Sequence, residues 1–111
     1  MNKVILMGRL TRDPDIRYST GESATAVARY TLAVDRRFRR DGEQTADFIG
    51  CVAWRKTAEF VSKYFSKGKM IIVEGTLQNN NYTDSNGVKH YSYNVVADSV
   101  SFGESKSASN P

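Results

Sequence analysis

The sequence is poor in the residues that build crosslinks and metal centres, with one cysteine and one histidine in 111 residues. Cys51 cannot close a disulfide within the chain, and with only His90 beside it the ligand count of a structural zinc site is out of reach. Stability must come from burial, and at this length one core covering roughly two-thirds of the unfolded surface suffices. A second folded domain has no room. No apolar run approaches the ~20 residues of a membrane span; the opening run Val4-Ile5-Leu6-Met7 is interrupted by Gly8-Arg9. The opening residues do not read as a secretion signal, so none is expected. Also missing are a Gly-x-Ser-x-Gly elbow, a Gly-x-x-x-x-Gly-Lys-Ser/Thr phosphate loop and a Gly-x-Gly-x-x-Gly turn. The closely spaced carboxylates Asp13 and Asp15 flank Pro14 and read as a turn ordered by side-chain to backbone bonds. His90 reads as a solvated surface histidine and Cys51 as a small apolar packing group. The expectation is a soluble, cytoplasmic, non-catalytic chain with no catalytic residue, metal, cofactor or membrane contact.

What the chain does have is positive charge in one place. Lys and Arg exceed Asp and Glu by four, which suggests a polyanionic partner. Residues 1–40 hold nine basic and four acidic residues, whereas 41–111 hold seven and eight. The excess is local to the N-terminal part.

Hydrophobic periodicity predicts strands. Residues 2–10 form a near-continuous branched apolar run that reads as a strand buried on both faces. A break follows at Thr11 to Pro14. From Thr25 to Asp35 the apolar residues fall on even positions, the pattern of a half-buried strand. Arg36 to Gln44 has no apolar period and reads as a mobile hairpin tip. Thr45 to Arg55 is a third strand with Ile49, Cys51 and Ala53 on one face and Phe48, Val52 and Trp54 on the other. The period then changes to that of a helix capped by Thr57, with Ala58, Val61, Tyr64 and Phe65 on one side, closed by Gly68. Met70 to Leu77 is a strand with Gly75 marking a bulge or close backbone approach. Asp84-Ser-Asn86-Gly87 predicts a tight hairpin. In the last strand, from Val88, Tyr91, Tyr93, Val95 and Ala97 are in odd phase but Val100 and Phe102 in even phase, which requires a bulge near 97–99. The expected architecture is one domain over residues 1–103, mainly β, a five-stranded barrel with one short helix between the third and fourth strands. Residues 104–111 read as a short disordered polar tail.

The chemistry lies in aromatics set among cations. In Arg36-Arg37-Phe38-Arg39-Arg40 a ring stands between guanidiniums in a segment with no core to bury it. The plain alternative is a solubilising loop with one stray Phe; the functional one is an arm that stacks a base and holds phosphates. Phe48 and Trp54 share parity and so project from one face of a strand, about 20 Å apart. The opposite parity already offers a core face, and Arg55-Lys56 follows Trp54 directly. Tyr82, near the second hairpin, has the same character, whereas Tyr30, Phe60, Tyr64 and Phe65 fit the core. An aromatic platform beside cations suits single-stranded nucleic acid, because every base has a π-face.

Taken with their order and spacing, four segments carry a family resemblance: Asn2-Lys-Val-Ile-Leu-Met-Gly8-Arg-Leu, Asp13-Pro-Asp-Ile-Arg-Tyr18, Tyr30-Thr-Leu-Ala-Val34 and Val73-Glu-Gly-Thr-Leu77. Together with the helix segment Lys56 to Gly68 and the hairpin Tyr82 to Gly87, they resemble the bacterial single-stranded DNA-binding proteins over residues 1–103. The resemblance implies an OB-fold that assembles as a homotetramer, wraps single-stranded DNA in replication, recombination and repair, and is cytoplasmic and nucleoid-associated. It implies base stacking on Phe38, Phe48, Trp54 and Tyr82, and backbone contacts from Lys3, Arg39, Lys56 and Lys67, beside which Arg36, Arg37, Arg40 and Arg55 are further phosphate-binding candidates. It also gives the first strand a role in subunit pairing. Phe38, Phe48 and Tyr82 stand where many members have tryptophan, so the stacking area is smaller, and Arg36, Arg37 and Arg40 are placed to compensate. Family members end in a glycine- and proline-rich linker with an acidic tip that recruits replication and repair proteins. This sequence ends in ESKSASNP, and such protein partners are not assigned to it. Two other functions share the fold: an OB module that prefers RNA by reading the 2′-hydroxyl, and a scaffold such as a primosome adaptor with an apolar patch in place of the aromatic groove.

Overall fold

The computed structural model describes residues 1–21, 24–38, 42 and 45–104. Its elements are β1 (Val4–Leu10), β2 (Asp15–Tyr18), β3 (Ala26–Asp35), β4 (Ala46–Trp54), α1 (Arg55–Tyr64), β5 (Met70–Asn79), β6 (Tyr82–Thr83), β7 (Lys89–His90) and β8 (Tyr93–Phe102). The main sheet runs β1-β5-β8-β4-β3-β2, and β1 returns to pair with β3, which closes it. Closure removes most sheet edges from a chain too short for two layers.

Eight strands reduce to five around the barrel. Along one edge of β3, Leu10 of β1 pairs with Leu32 and Asp15 of β2 pairs with Arg29. β1 and β2 are thus two pieces of one strand, interrupted at Thr11 to Pro14, where the sequence predicts a break. The β6/β7 hairpin is an excursion outside the barrel. The remaining pairings are antiparallel except β4 with β8, which run parallel with Cys51 opposite Val95. This is the expected five-stranded barrel, with α1 between the third and fourth barrel strands.

The alternation along β3 does what its period demands. Ala26, Ala28, Tyr30 and Leu32 are buried, and they meet Cys51, Ala53, Ile71, Val73 and Val95 in one core. Ala58, Val61 and Phe65 of the α1 segment belong to that core too, and Phe65 stacks on Phe102 with ring centroids 5.0 Å apart. The bulge falls where the phase change requires it. Glu74 pairs with Ser99 and Gly75 with Ala97, leaving Asp98 as the extra residue. Gly75 makes this possible, since a Cβ there would collide with the Val96 carbonyl oxygen.

Four expectations are corrected. β1 is not buried on both faces: Ile5 is 62% exposed and Met7 is exposed as well, because Val4, Leu6, Gly8 and Leu10 turn towards the interior and the residues between them face outward. The helix begins at Arg55, with Trp54 as an extended N-cap and no side-chain cap bond, so Thr57 lies inside it. The chain passes from strand to helix without a loop, and the turn is made by Arg55 at φ 58°. Gly68 does not end the helix, which stops at Tyr64; Gly68 lies in the turn into β5, where its N–H donates to the Leu10 carbonyl at 2.8 Å. The Asn86-Gly87 hairpin is a five-residue loop, not a two-residue turn. Asp84 organises it by accepting through Oδ1 from the Asn86 N–H at 2.9 Å and the Val88 N–H at 3.0 Å, with Gly87 at φ 80°. Most of the first hairpin tip, including Arg39 and Arg40, and the tail 105–111 lie outside the described residues.

Candidate nucleic-acid interface

β4 builds the centre of the site by parity. Phe48, Gly50, Val52 and Trp54 share one side of the strand, and opposite them on β3 stand Ala33, Thr31, Arg29 and Val27. Phe48 is 63% and Trp54 47% exposed, so both rings leave the barrel from the same outer face, as their spacing predicts. Between them Gly50 exposes backbone, and the Asn94 amide of β8 lies above it: a Cβ on Gly50 would stand 2.8 Å from Asn94 Oδ1. The hollow there has a volume of about 380 Å³, and Arg12, Asp13, Asp15, Arg29, Thr31 and Asn80 contribute to its lining.

Cations frame this face unevenly. Arg55 follows Trp54 in a left-handed conformation that costs an L-residue about 1–2 kcal/mol, a strain that fixes how the chain leaves the Trp54 ring. Lys56 is exposed beside it. The Lys67 backbone N–H donates to Asp13 Oδ1 at 2.9 Å, which brings Lys67 to the rim of the hollow and shows that Asp13 ties a distant loop instead of its own turn. Arg36 is engaged elsewhere. It donates to both carboxylate oxygens of Asp47, at 2.8 Å from Nη2 and 3.2 Å from Nε, and this hydrogen-bonded partner holds the Asp47 carboxyl below its ordinary range. Lys3 pairs with Glu74 at 3.2 Å on strands that do not border β4, so the structure does not bring it to the hollow. Arg37 and Phe38 stand at the base of the first hairpin tip, with Phe38 87% exposed.

Tyr82 is exposed on the β6/β7 hairpin, with one ring face already covered. His90 stacks on it at 4.6 Å between centroids and 10° between planes, while His90 Nε2 lies 2.9 Å from Asp84 Oδ2. His90 is therefore part of an ordered tip, not an isolated solvated side chain. The His90 bond, helped by the Val88 N–H, keeps the Asp84 carboxyl below its ordinary range. Cys51 is buried as expected, and burial pushes its thiol up to about 12, which leaves it unreactive near neutral pH.

Sequence reasoning missed Arg12, Arg29 and Asn94, which reach the hollow from the break between β1 and β2, from β3 and from β8. It also placed Tyr91 and Tyr93 in phase with the core residues Val95 and Ala97, yet both are exposed. Tyr93 pairs with Asn79 at the far end of β5, beyond the barrel interior, where the period continues without a core to face. Among the described residues no group of three or more His, Cys, Asp or Glu side chains could hold a metal ion, and no helix is long and apolar enough to cross a membrane.

The sequence model of the single-strand binding protein family matches residues 1–103. The chain is similar to single-stranded DNA-binding protein 3 of Clostridium acetobutylicum, 48% identical over 110 residues that cover 99% of this chain and 76% of that one. It is 51% identical over 112 residues to the single-stranded DNA-binding protein of Fusobacterium nucleatum, covering 98% and 71%. Among solved structures, a deletion mutant of the single-stranded DNA binding protein from Thermus aquaticus superposes with a TM-score of 0.74 at 35% identity. That match covers 96% of this chain but 42% of the Thermus chain. The barrel is an OB-fold.

Proposed function

The chain belongs to the single-strand binding protein family, and from that premise we propose that it is a non-catalytic, largely sequence-independent coat for single-stranded DNA. The observation that carries this reading is the pair Phe48 and Trp54, two exposed rings on one outer face of β4 with Arg55 and Lys56 directly behind the second. Bases stack on Phe48 and Trp54, and then on Phe38 and on the uncovered face of Tyr82. Phosphates are drawn to Arg37, Arg55, Lys56 and Lys67, and to Arg39 and Arg40 of the hairpin tip, with release of condensed counterions. Arg36 must exchange Asp47 for a phosphate to join them, and Lys3, paired with Glu74, stands away from this face. No nucleotide hydrolysis or cofactor enters the mechanism.

Assembly as a homotetramer is the second half of the proposal. Ile5 and Met7 are exposed on β1, with Ile72 of β5 paired opposite Met7. Among the described residues the far edge of β1 has a strand partner only at Arg9 and Leu10. An open strand edge beside aliphatic side chains supports pairing with a second copy. Such an assembly would coat single strands exposed in replication, recombination and repair, in the cytoplasm at the nucleoid.

Trp54, the only tryptophan, is the reporter that tests the binding mode. Titration with oligo-dT at two salt concentrations is expected to quench its fluorescence, less so at the higher salt, while duplex of matched sequence does little. Absence of both quenching and a mobility shift would show that this face does not hold DNA.

A further inference from the structure

Stacking without base preference needs rings and cations only, but the hollow between Phe48 and Trp54 holds more than that. Gly50 leaves its floor bare, the Asn94 amide lies over that floor, and Asp15 and Arg29 line the side formed by β2 and β3. Amides, carboxylates and guanidinium planes are the groups that read base edges.

Arg29 and Asp15 stand opposite each other in register across β3 and β2. They do not pair. Asp15 Oδ2 lies 3.4 Å from Arg17 Nε, with both side chains well exposed, an ion pair that is long and easily given up. Among the described residues Arg29 has no carboxylate partner within ion-pair distance. The backbones of these two residues thus run side by side, roughly 5 Å apart, and their side chains offer a guanidinium fork and a carboxylate to the same hollow.

Guanine matches that arrangement on two adjoining edges. Its O6 and N7 accept two hydrogen bonds from an arginine fork, and its N1–H and N2–H donate two to a carboxylate. Thymine offers one bond to each half, O4 to the fork and N3–H to the carboxylate, adenine likewise only N7 and its exocyclic amine, and cytosine brings only its exocyclic amine to the carboxylate. We propose that this hollow is a base-reading subsite that prefers guanine within the bound single strand, with Arg29 on the O6/N7 edge and Asp15 on the N1–H/N2–H edge. The inference rests on the DNA-binding reading above, since Phe48 and Trp54 hold the strand over the hollow. It adds a local preference to a mostly indifferent surface.

The test compares dT oligomers of about 15 nucleotides, within the range one OB-fold occupies, that carry a single central dG, dA or dC, with all-dT as reference. Affinities are read by fluorescence anisotropy. One bidentate contact at an open site should make the dG oligomer bind about tenfold tighter than all-dT, with dA and dC close to the reference. Arg29→Lys keeps the charge but loses the fork, and Asp15→Asn replaces one acceptor with a donor; each should bring the dG-to-dT ratio close to one. Equal affinity for all four oligomers in the unsubstituted protein overturns the subsite, as does a dG preference that survives both substitutions. A preference for dC overturns the assignment to guanine. Failure to bind any oligomer overturns the DNA-binding reading itself, an outcome distinct from uniform binding.

Discussion

Two outer faces of the same barrel carry exposed apolar side chains, and they differ in what surrounds them. On the β3/β4/β8 side the side chains are rings, Phe48 and Trp54, around an open glycine floor, and neighbouring cations such as Arg29, Arg55 and Lys56 have no carboxylate partner among the described residues. On the β1/β5 side they are the aliphatic Ile5 and Met7, beside a half-buried Ile72, and the neighbouring charges are already matched. Lys3 meets Glu74 at 3.2 Å and Arg9 meets Glu104 at 3.3 Å. Asn2 bonds both backbone polar groups of Leu77, at 2.8 and 2.9 Å. Flat rings beside uncompensated cations suit a polyanion with π-faces. Flexible and branched side chains beside neutralised charge suit another protein surface, where a desolvated lone charge would be costly. Exposure alone does not distinguish the two faces; charge compensation does.

The largest expected effect lies on the aliphatic face. Ile5→Lys combined with Met7→Lys would place two ammonium groups in a subunit contact, and several kcal/mol of desolvation per buried ion should abolish it. Light scattering should then fall from about four chain masses, the proposed tetramer, to that of a smaller species, with the far-UV spectrum retained because both residues are outside the core. An unchanged mass would mean that β1 is not an assembly surface. Next is Trp54→Ala on the aromatic face. Loss of one stacked base costs about 1–3 kcal/mol, so binding of oligo-dT should weaken by roughly five- to 150-fold while the assembly mass stays the same. If the two substitutions exchanged phenotypes, the contrast between the faces would be inverted.

A smaller effect separates the two kinds of cation. Lys56→Ala should reduce the slope of log affinity against log salt by about 1, as removal of one phosphate contact does. Lys3→Ala, whose ammonium is already matched by Glu74, should leave the slope near its starting value. Equal slopes for both variants would show that the ion pair does not withhold Lys3 from DNA.

Much of this contrast was legible in the sequence, for a local reason. A period of two fixes which side chains share a face of one strand, so Phe48 and Trp54 could be paired, the even positions from Ala26 to Leu32 assigned inward, and the bulge placed near 97–99 from a phase change. What was not legible depends on partners distant in sequence. Arg29 and Asn94 reach the hollow only through the registers of β3 and β8 with β4, and the outward face of β1 is set by how little space the closed barrel leaves inside. The short β2 piece escaped because Ile16 alone gives no alternation. The start of α1 escaped because its turn rests on a left-handed Arg55, for which side chains give no signal; a serine or threonine cap would have been read.

The β6/β7 tip belongs to the aromatic side by its exposed Tyr82, yet like the aliphatic side it has its carboxylate engaged, through the hydrogen bond between Asp84 and His90. That combination predicts the smallest effect and a pH dependence of definite sign. Asp84 titrates below its ordinary value of 3.8 in the folded chain, chiefly because of the His90 bond. The unfolded chain therefore binds the proton first as pH falls, so the tip's stabilisation is full above the ordinary value and is lost as pH drops through the folded one. His90→Ala removes the largest cause of the shift and one support of the Tyr82 ring. The Asp84 carboxyl, followed by NMR chemical shift against pH, should then titrate at higher pH than in the unsubstituted chain, and oligo-dT affinity should fall by less than it does for Trp54→Ala. His90→Phe should restore the affinity, because it keeps the stack, but not the Asp84 titration, because it has no nitrogen to bond. If both variants bound DNA equally well, Tyr82 would not need the ring behind it, and the tip would serve only to turn the chain between β5 and β8.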